Sequence, residues 1–165
     1  MFKYLRVQKD KFWFRLKRYI MNIIKSKKSD KTIAWSYSIG TFIAVFPTPG
    51  FSTFIGLAVL GIFRQLNKMA ILLSMVVWNA VTVVPVYWFS FKIGQSLAIT
   101  DETNFFQYEW ANNLIQYFKD FIVGNLFITI PISVISYFLA LLLLKHSRIA
   151  RRKRAIHKYK KGLLL

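Results

Sequence analysis

The chain contains no cysteine, which excludes disulfide bonds, thiol catalysis and cysteine-ligated metals. It is also poor in acidic residues, because six Asp and Glu stand against 24 Lys and Arg and leave a formal net charge of +18. The two histidines, His146 and His157, lie in a basic stretch where we expect solvated side chains rather than catalytic bases. This inventory predicts a protein that is not an enzyme, needs no cofactor and binds no metal.

Charged residues and histidine are absent from three long segments. Residues 33–63, 69–91 and 121–144 contain none over 31, 23 and 24 residues. About 20 apolar residues in a helix cross the roughly 30 Å hydrocarbon core of a bilayer, so 69–91 and 121–144 are each long enough to span it. We therefore predict an all-α integral membrane protein. The lack of an intramembrane carboxylate or histidine argues against proton-coupled transport.

Basic residues are concentrated at the two ends of the chain, with 11 in residues 1–31 and nine in residues 145–161. Apolar residues recur at helical spacing in 1–31, which predicts a basic amphipathic helix at the membrane interface. Packing on another protein or on the rest of this one is the alternative. Residues 146–165 predict a basic cytoplasmic tail that continues the last helix. Because these clusters flank apolar segments, we expect anionic lipid headgroups as partners, and no nucleic acid.

The first apolar segment is interrupted at its centre by Pro47-Thr48-Pro49-Gly50. The prolines remove backbone donors and the glycine permits a sharp reversal. The arms on either side, Ile33–Phe46 and Phe51–Phe63, are about 20 Å long as helices, which is short of the hydrocarbon core. We predict a re-entrant hairpin over 33–63, and two short full crossings are the alternative.

Counting basic residues then selects a topology. With a hairpin at 33–63 and crossings at 69–91 and 121–144, the membrane domain covers residues 32–145 and both basic termini lie in the cytoplasm. The polar segment 92–120, which holds four of the six acidic residues, becomes an extracytoplasmic loop. Arg64 and Lys68 then mark a short cytoplasmic connection.

Two sequence signatures resemble those of a bacterial membrane family, the domain of unknown function 2062. The first is Ile39-Gly40-Thr41-Phe42 leading into Phe46–Thr53, and the second is Asn79–Tyr87 followed by Gly94. Leu66-Asn67-Lys68 is similar to the short connector between them. Ala80 and Val84 stand where the family usually has proline, so we expect the helix over 69–91 to be straighter than in the relatives of this chain. The resemblance implies a protein of the bacterial cytoplasmic membrane and, by association with related domains, a place in envelope lipid or glycan metabolism.

Three features are candidates for a ligand site. The start of the second hairpin arm would present free N–H groups and hydroxyls to an anion, Asn79 would be a buried amide able to bond the carbonyls freed at the proline turn, and the short basic connection would face phosphate. Helix capping and orientation in the membrane are the alternative roles. The candidate ligand residues are Thr48, Gly50, Ser52, Thr53, Arg64, Lys68, Asn79, Thr82 and Tyr87.

Two functions fit these features. One is a protein that binds an anionic lipid or lipid-linked phosphate, or helps to translocate it, and a sealed path would then require a homo-oligomer. The alternative is a non-catalytic scaffold or subunit for a glycosyl- or acyltransferase of envelope biosynthesis. A small channel is a third option.

Overall fold

The computed structural model describes residues 18–48, 51–97 and 107–162. Throughout these ranges the regular secondary structure is helical and no strand is present, which confirms the predicted all-α class. The helices are α1 (Asp30–Val45), α2 (Ser52–Ile62), α3 (Lys68–Val77), α4 (Ala80–Leu97) and α5 (Glu109–Gly162). A helical segment over residues 18–25 precedes α1.

The helix α1 begins and ends where the sequence provides the signals. Ser29 is the N-cap, and its side chain accepts a hydrogen bond from the backbone N–H of Thr32. Asp30 lies in the first turn, where a negative charge interacts favourably with the helix dipole. The helix ends at Val45 because positions 47 and 49 are prolines, which cannot donate to the carbonyls four residues earlier.

The chain reverses direction between α1 and α2, as a hairpin requires. The ammonium group of Lys28, just before α1, donates to the backbone carbonyls of Arg64, Gln65 and Leu66, just after α2, with N–O distances of 3.4, 2.8 and 2.7 Å. The two ends of the segment 33–63 therefore lie at the same end of the molecule.

The helix α3 starts at this same end and runs alongside α1. Asn67 is its N-cap, with its side-chain oxygen accepting from the backbone N–H groups of Met69 and Ala70. The backbone N–H of Asn67 in turn donates to the Ser36 hydroxyl at 2.7 Å. Further along α1, Gly40 lies so close to α3 that a Cβ there would overlap the Ser74 side chain. The two helices therefore run parallel in close contact.

Residues 69–91 are divided between two helices, α3 and α4. α3 ends at Val77, and its axis meets that of Val81–Leu97 at 72°. The new helix begins without proline because the Asn79 side chain accepts from the backbone N–H groups of Val81 and Thr82 at 2.9 and 3.3 Å. Whether this bent pair crosses a membrane stays a prediction.

The helix α5 is about 81 Å long, given its 54 residues. It confirms that the basic tail continues the last helix, as far as Gly162. The loop predicted over 92–120 is shorter than expected, because α4 extends to Leu97 and α5 already begins at Glu109. The polar residues 109–120 form the first turns of α5 rather than a loop without secondary structure.

Within the described ranges, α5 is the one continuous helix that is long and apolar enough to cross a membrane, over Glu109–Arg151. The bent pair of α3 and α4 passes the same test only when taken as one span. Several large apolar side chains of α5 are more than half exposed, including Phe127, Leu142 and Leu143. Such a surface indicates membrane association.

The helical segment over residues 18–25 packs on the bundle. Ile23 is buried in a cluster with Ile33, Ala70 and Leu144. The helix predicted over 1–31 is also interrupted, because Ser26 to Ser29 form a turn before α1. Residues 18–25 therefore pack against the rest of the protein, and a position at the membrane interface stays a prediction. Residues 1–17 lie outside the described residues.

Candidate functional site

The residues predicted to form one ligand site are not brought together. Thr48 and Ser52 lie at the turn between α1 and α2, while Arg64 and Lys68 follow the other end of α2. The 11 residues of α2 separate these pairs by about 16 Å. Gly50 and the side chain of Thr53 lie outside the described part. A single headgroup cannot contact both ends of α2.

Asn79 is not the buried amide that we predicted, because its side chain is exposed and serves as the cap of α4. The Thr82 hydroxyl donates to the carbonyls of Val77 and Asn79 at 2.9 and 3.0 Å, within the same turn. Tyr87 lies on the face of α4 that contacts α5, where its ring meets that of Phe121 edge-on at 5.2 Å. These three residues shape the α3–α4 break and its packing.

The carbonyl freed by the proline turn is instead bonded by Asn125 of α5. The Asn125 amide is buried and donates to the Val45 carbonyl at 3.4 Å and to the Ser90 hydroxyl at 3.2 Å. Its oxygen accepts from the Thr129 hydroxyl at 2.8 Å. In a longer helix the Val45 carbonyl would bond residue 49, which is proline. An amide within a charge-free segment is itself a sequence signal of such a role.

Asn125 belongs to a buried polar layer between α1, α4 and α5. The Ser38 hydroxyl donates to the Ser133 carbonyl at 2.7 Å and so joins α1 to α5 on the C-terminal side of Asn125. In lipid, where the hydrophobic effect cannot hold helices together, small residues and such interhelical bonds do so. The members of this layer are Ser38, Thr41, Ser90, Asn125, Thr129 and Ser133.

The two basic parts of the chain meet at one end of the bundle, which we call the basic end. Arg148 of α5 pairs with Asp30 at 3.0 Å and donates to the carbonyls of Ser26 and Lys28 at 3.1 and 3.0 Å. Because Lys28 also bonds the connection after α2, three basic segments are tied together there. The exposed cations of the basic end are Lys25, Lys27, Lys31, Arg64, Lys68, Lys145, Arg151 and Lys153.

Acidic residues are scarce at the basic end. Asp30 is the one carboxylate that the structure describes there, and it is already paired with Arg148. The other described acids, Glu109 and Asp120, lie at the opposite end of α5, where Asp120 lines a polar cleft of about 280 Å³. The charge distribution along the bundle therefore favours an anion at the basic end.

An apolar groove of about 350 Å³ lies beside the basic end. Its walls come from residues 18–25, α1, α3 and α5, and they include Ile24, Tyr37, Leu73 and Ala140. The polar side chains among its described lining residues are those of Tyr37, Trp78, Ser136 and Ser147.

A family model described as "uncharacterized protein conserved in bacteria (DUF2062)" matches residues 14–153. The match covers α1 to α4 and most of α5, together with both signatures found in the sequence. No curated protein and no solved structure matches the chain.

Proposed function

The chain belongs to the bacterial family DUF2062, and we propose that it binds anionic lipid headgroups at its basic end as an integral protein of the cytoplasmic membrane. In this proposal both termini lie in the cytoplasm. The protein acts without catalysis of its own, on membrane lipid or lipid-linked phosphate used in envelope metabolism.

The observation that carries the proposal is the meeting of three basic segments at one end of an apolar bundle. Arg148 and Lys28 hold these segments together through backbone carbonyls, so the cations do not depend on one flexible tail. Each basic residue close to an anionic leaflet contributes about 1 kcal/mol. Eight exposed cations against one paired carboxylate therefore favour anionic over zwitterionic lipid.

Arg64 and Lys68 are the cations that we propose contact the headgroup first. They are exposed, and the backbone beside them is fixed by Lys28. The turn at Thr48 and Ser52 lies at the far end of α2 and takes no part in this headgroup site.

Competition between two lipids tests the proposal. The full chain is reconstituted in bilayers of equal phosphatidylglycerol and phosphatidylcholine, extracted in mild detergent, and its bound lipids are quantified by mass spectrometry. We expect several-fold enrichment of phosphatidylglycerol, and a clear loss of that enrichment in Arg64→Gln/Lys68→Gln.

The matched control is Lys92→Gln/Lys119→Gln, which removes the same charge from the opposite half of the molecule and should keep the enrichment. Equal recovery of the two lipids by the unmodified chain would contradict the proposal. Stoichiometric recovery of a glycosyl- or acyltransferase, unaffected by Arg64→Gln/Lys68→Gln, would indicate the scaffold function instead.

A further inference from the structure

We infer that the apolar groove holds one acyl chain of an anionic phospholipid whose headgroup lies on the basic end, an inference that rests on the proposed function. The exposed cations can bind only the headgroup of a lipid. The groove is lined by other residues and provides a place for the lipid tail. The occupant is therefore a lipid in a defined position rather than a layer of diffusely attracted headgroups.

The size of the groove fits this occupant. At about 350 Å³ it falls in the range of roughly 300–1,000 Å³ that is typical of small-molecule sites. Along α5 it extends from Ser147 to Ser136, a rise of about 16 Å. This is about half of the roughly 30 Å hydrocarbon core, the depth of one leaflet.

The lining has the polarity that an acyl chain requires. Isoleucine and leucine side chains from residues 18–25, α1, α3 and α5 form about half of the wall, with Tyr37 of α1 and Trp78 at the α3–α4 break. Among the residues that the structure describes, no charged side chain lines the groove. A hydrocarbon tail that leaves water gains about 25 cal/mol of binding free energy per Å² of apolar surface that it buries. In a bilayer the tail is already in apolar surroundings, and the favourable term is close packing in the groove.

The mouth of the groove has the charge that a phosphate headgroup requires. Lys25 and Lys145 are exposed and directly follow two lining residues, Ile24 and Leu144. The nearest described carboxylate, Asp30, is neutralised by Arg148. Because Lys25 and Lys145 are adjacent in sequence to residues of a groove whose described lining is uncharged, the ligand that they complement has an anionic head and an apolar tail.

Photo-cross-linking from the groove wall tests this assignment. Tyr37→p-benzoylphenylalanine places a photo-cross-linker in the groove and keeps the aromatic ring of the tyrosine. Trp35→p-benzoylphenylalanine is the matched control, because Trp35 is exposed, does not line the groove and lies about 200° away around α1. Both variants are irradiated in bilayers of equal phosphatidylglycerol and phosphatidylcholine, and the adducts are identified by mass spectrometry.

We expect the adducts of the Tyr37 variant to be enriched several-fold in phosphatidylglycerol, while those of the Trp35 variant follow the bulk composition. Adducts at the bulk ratio from both positions would overturn the inference. It would also be overturned if the Tyr37 variant cross-linked to residues 1–17 of its own chain or to a second copy, because the groove would then have another occupant.

Filling the groove gives an independent test. Ala140→Phe narrows it from the α5 side, and Val134→Phe adds the same side chain to an exposed position of α5 outside the groove. Ala140→Phe should abolish the phosphatidylglycerol enrichment of Tyr37 adducts, and Val134→Phe should not.

If the unmodified chain co-purifies with phosphatidylglycerol but its groove adducts show no enrichment, this inference fails and the headgroup proposal stands. If no preference for phosphatidylglycerol is found by either method, both fail.

Discussion

At the scale of single residues, one buried amide stabilises the proline turn. Asn125 bonds the Val45 carbonyl, the Ser90 hydroxyl and the Thr129 hydroxyl, and so connects three helices. A carbonyl left without a partner in an apolar interior costs about 1–3 kcal/mol. The end of α1 therefore depends on a residue 80 positions away in sequence.

We expect Asn125→Leu to lower the free energy of unfolding by about 1–3 kcal/mol, because the Val45 carbonyl and the Ser90 hydroxyl both lose a donor. Thermal unfolding of the protein in detergent, followed by circular dichroism, measures the change. Asn113→Leu is the control, since Asn113 is an exposed residue of the same helix. Equal stability of the two variants would show that the Asn125 bonds do not hold the turn.

At the scale of helices, α4 and α5 approach so closely that glycine is required at their contact. A Cβ at Gly94 would overlap the backbone carbonyl of Asp120, and one at Gly124 would overlap that of Ser90. Neither obstacle is a flexible side chain, so the backbones themselves would have to separate. Close approach through small residues is a common way to pair helices in lipid.

Gly124→Ala should therefore destabilise the protein by about 1–3 kcal/mol through overpacking, even though alanine favours helix formation by about 0.5–1 kcal/mol. Gly61→Ala is the matched control, because a Cβ at Gly61 of α2 meets nothing within 4 Å. Unfolding temperatures of the two variants in the same detergent give the comparison. A Gly124→Ala protein as stable as Gly61→Ala would mean that the helices are not in this contact.

The break between α3 and α4 shows why local sequence rules failed for residues 69–91. The lack of proline at Ala80 and Val84 argued against a second broken helix, since proline is the strongest helix breaker. Asn79 instead starts a new helix, because its side-chain oxygen accepts hydrogen bonds from the first backbone N–H groups of that helix. Asparagine within an apolar segment can be a cap or a buried amide, and its local sequence does not distinguish the two.

At the scale of the whole molecule, the antiparallel arrangement of α1 and α5 brings the two basic segments together. Asp30 lies beside Arg148 at one end, and Val45 lies beside Asn125 further along. If the bundle spans the membrane, Lys27 and Lys153 must therefore lie on the same face, and Tyr108 on the other.

Cysteine labelling in intact cells measures this topology, because the natural chain has no cysteine to give a background. We expect a membrane-impermeant maleimide to label Tyr108→Cys in intact cells, and to label Lys27→Cys and Lys153→Cys only after permeabilisation. Reaction of Lys27→Cys and Lys153→Cys from opposite faces would exclude a cytoplasmic position for both termini.

Composition and charge by themselves determined the helical class, the reversal within residues 33–63 and the separation of basic ends from apolar segments. These properties depend on local chemistry, namely missing charges, missing proline N–H groups and helix-compatible spacing. Family membership was also visible in the two signatures. None of these properties requires knowledge of which residues meet in space.

Only the tertiary structure decided which polar groups serve one another and where a ligand could lie. In the structure Asn125, rather than Asn79, bonds the carbonyl freed at the proline turn. The predicted headgroup residues lie at opposite ends of α2, and four parts of the chain together form the groove. The physical reason is that hydrogen bonds and cavities depend on distances between helices, and helical periodicity fixes the faces of each helix but not its neighbours.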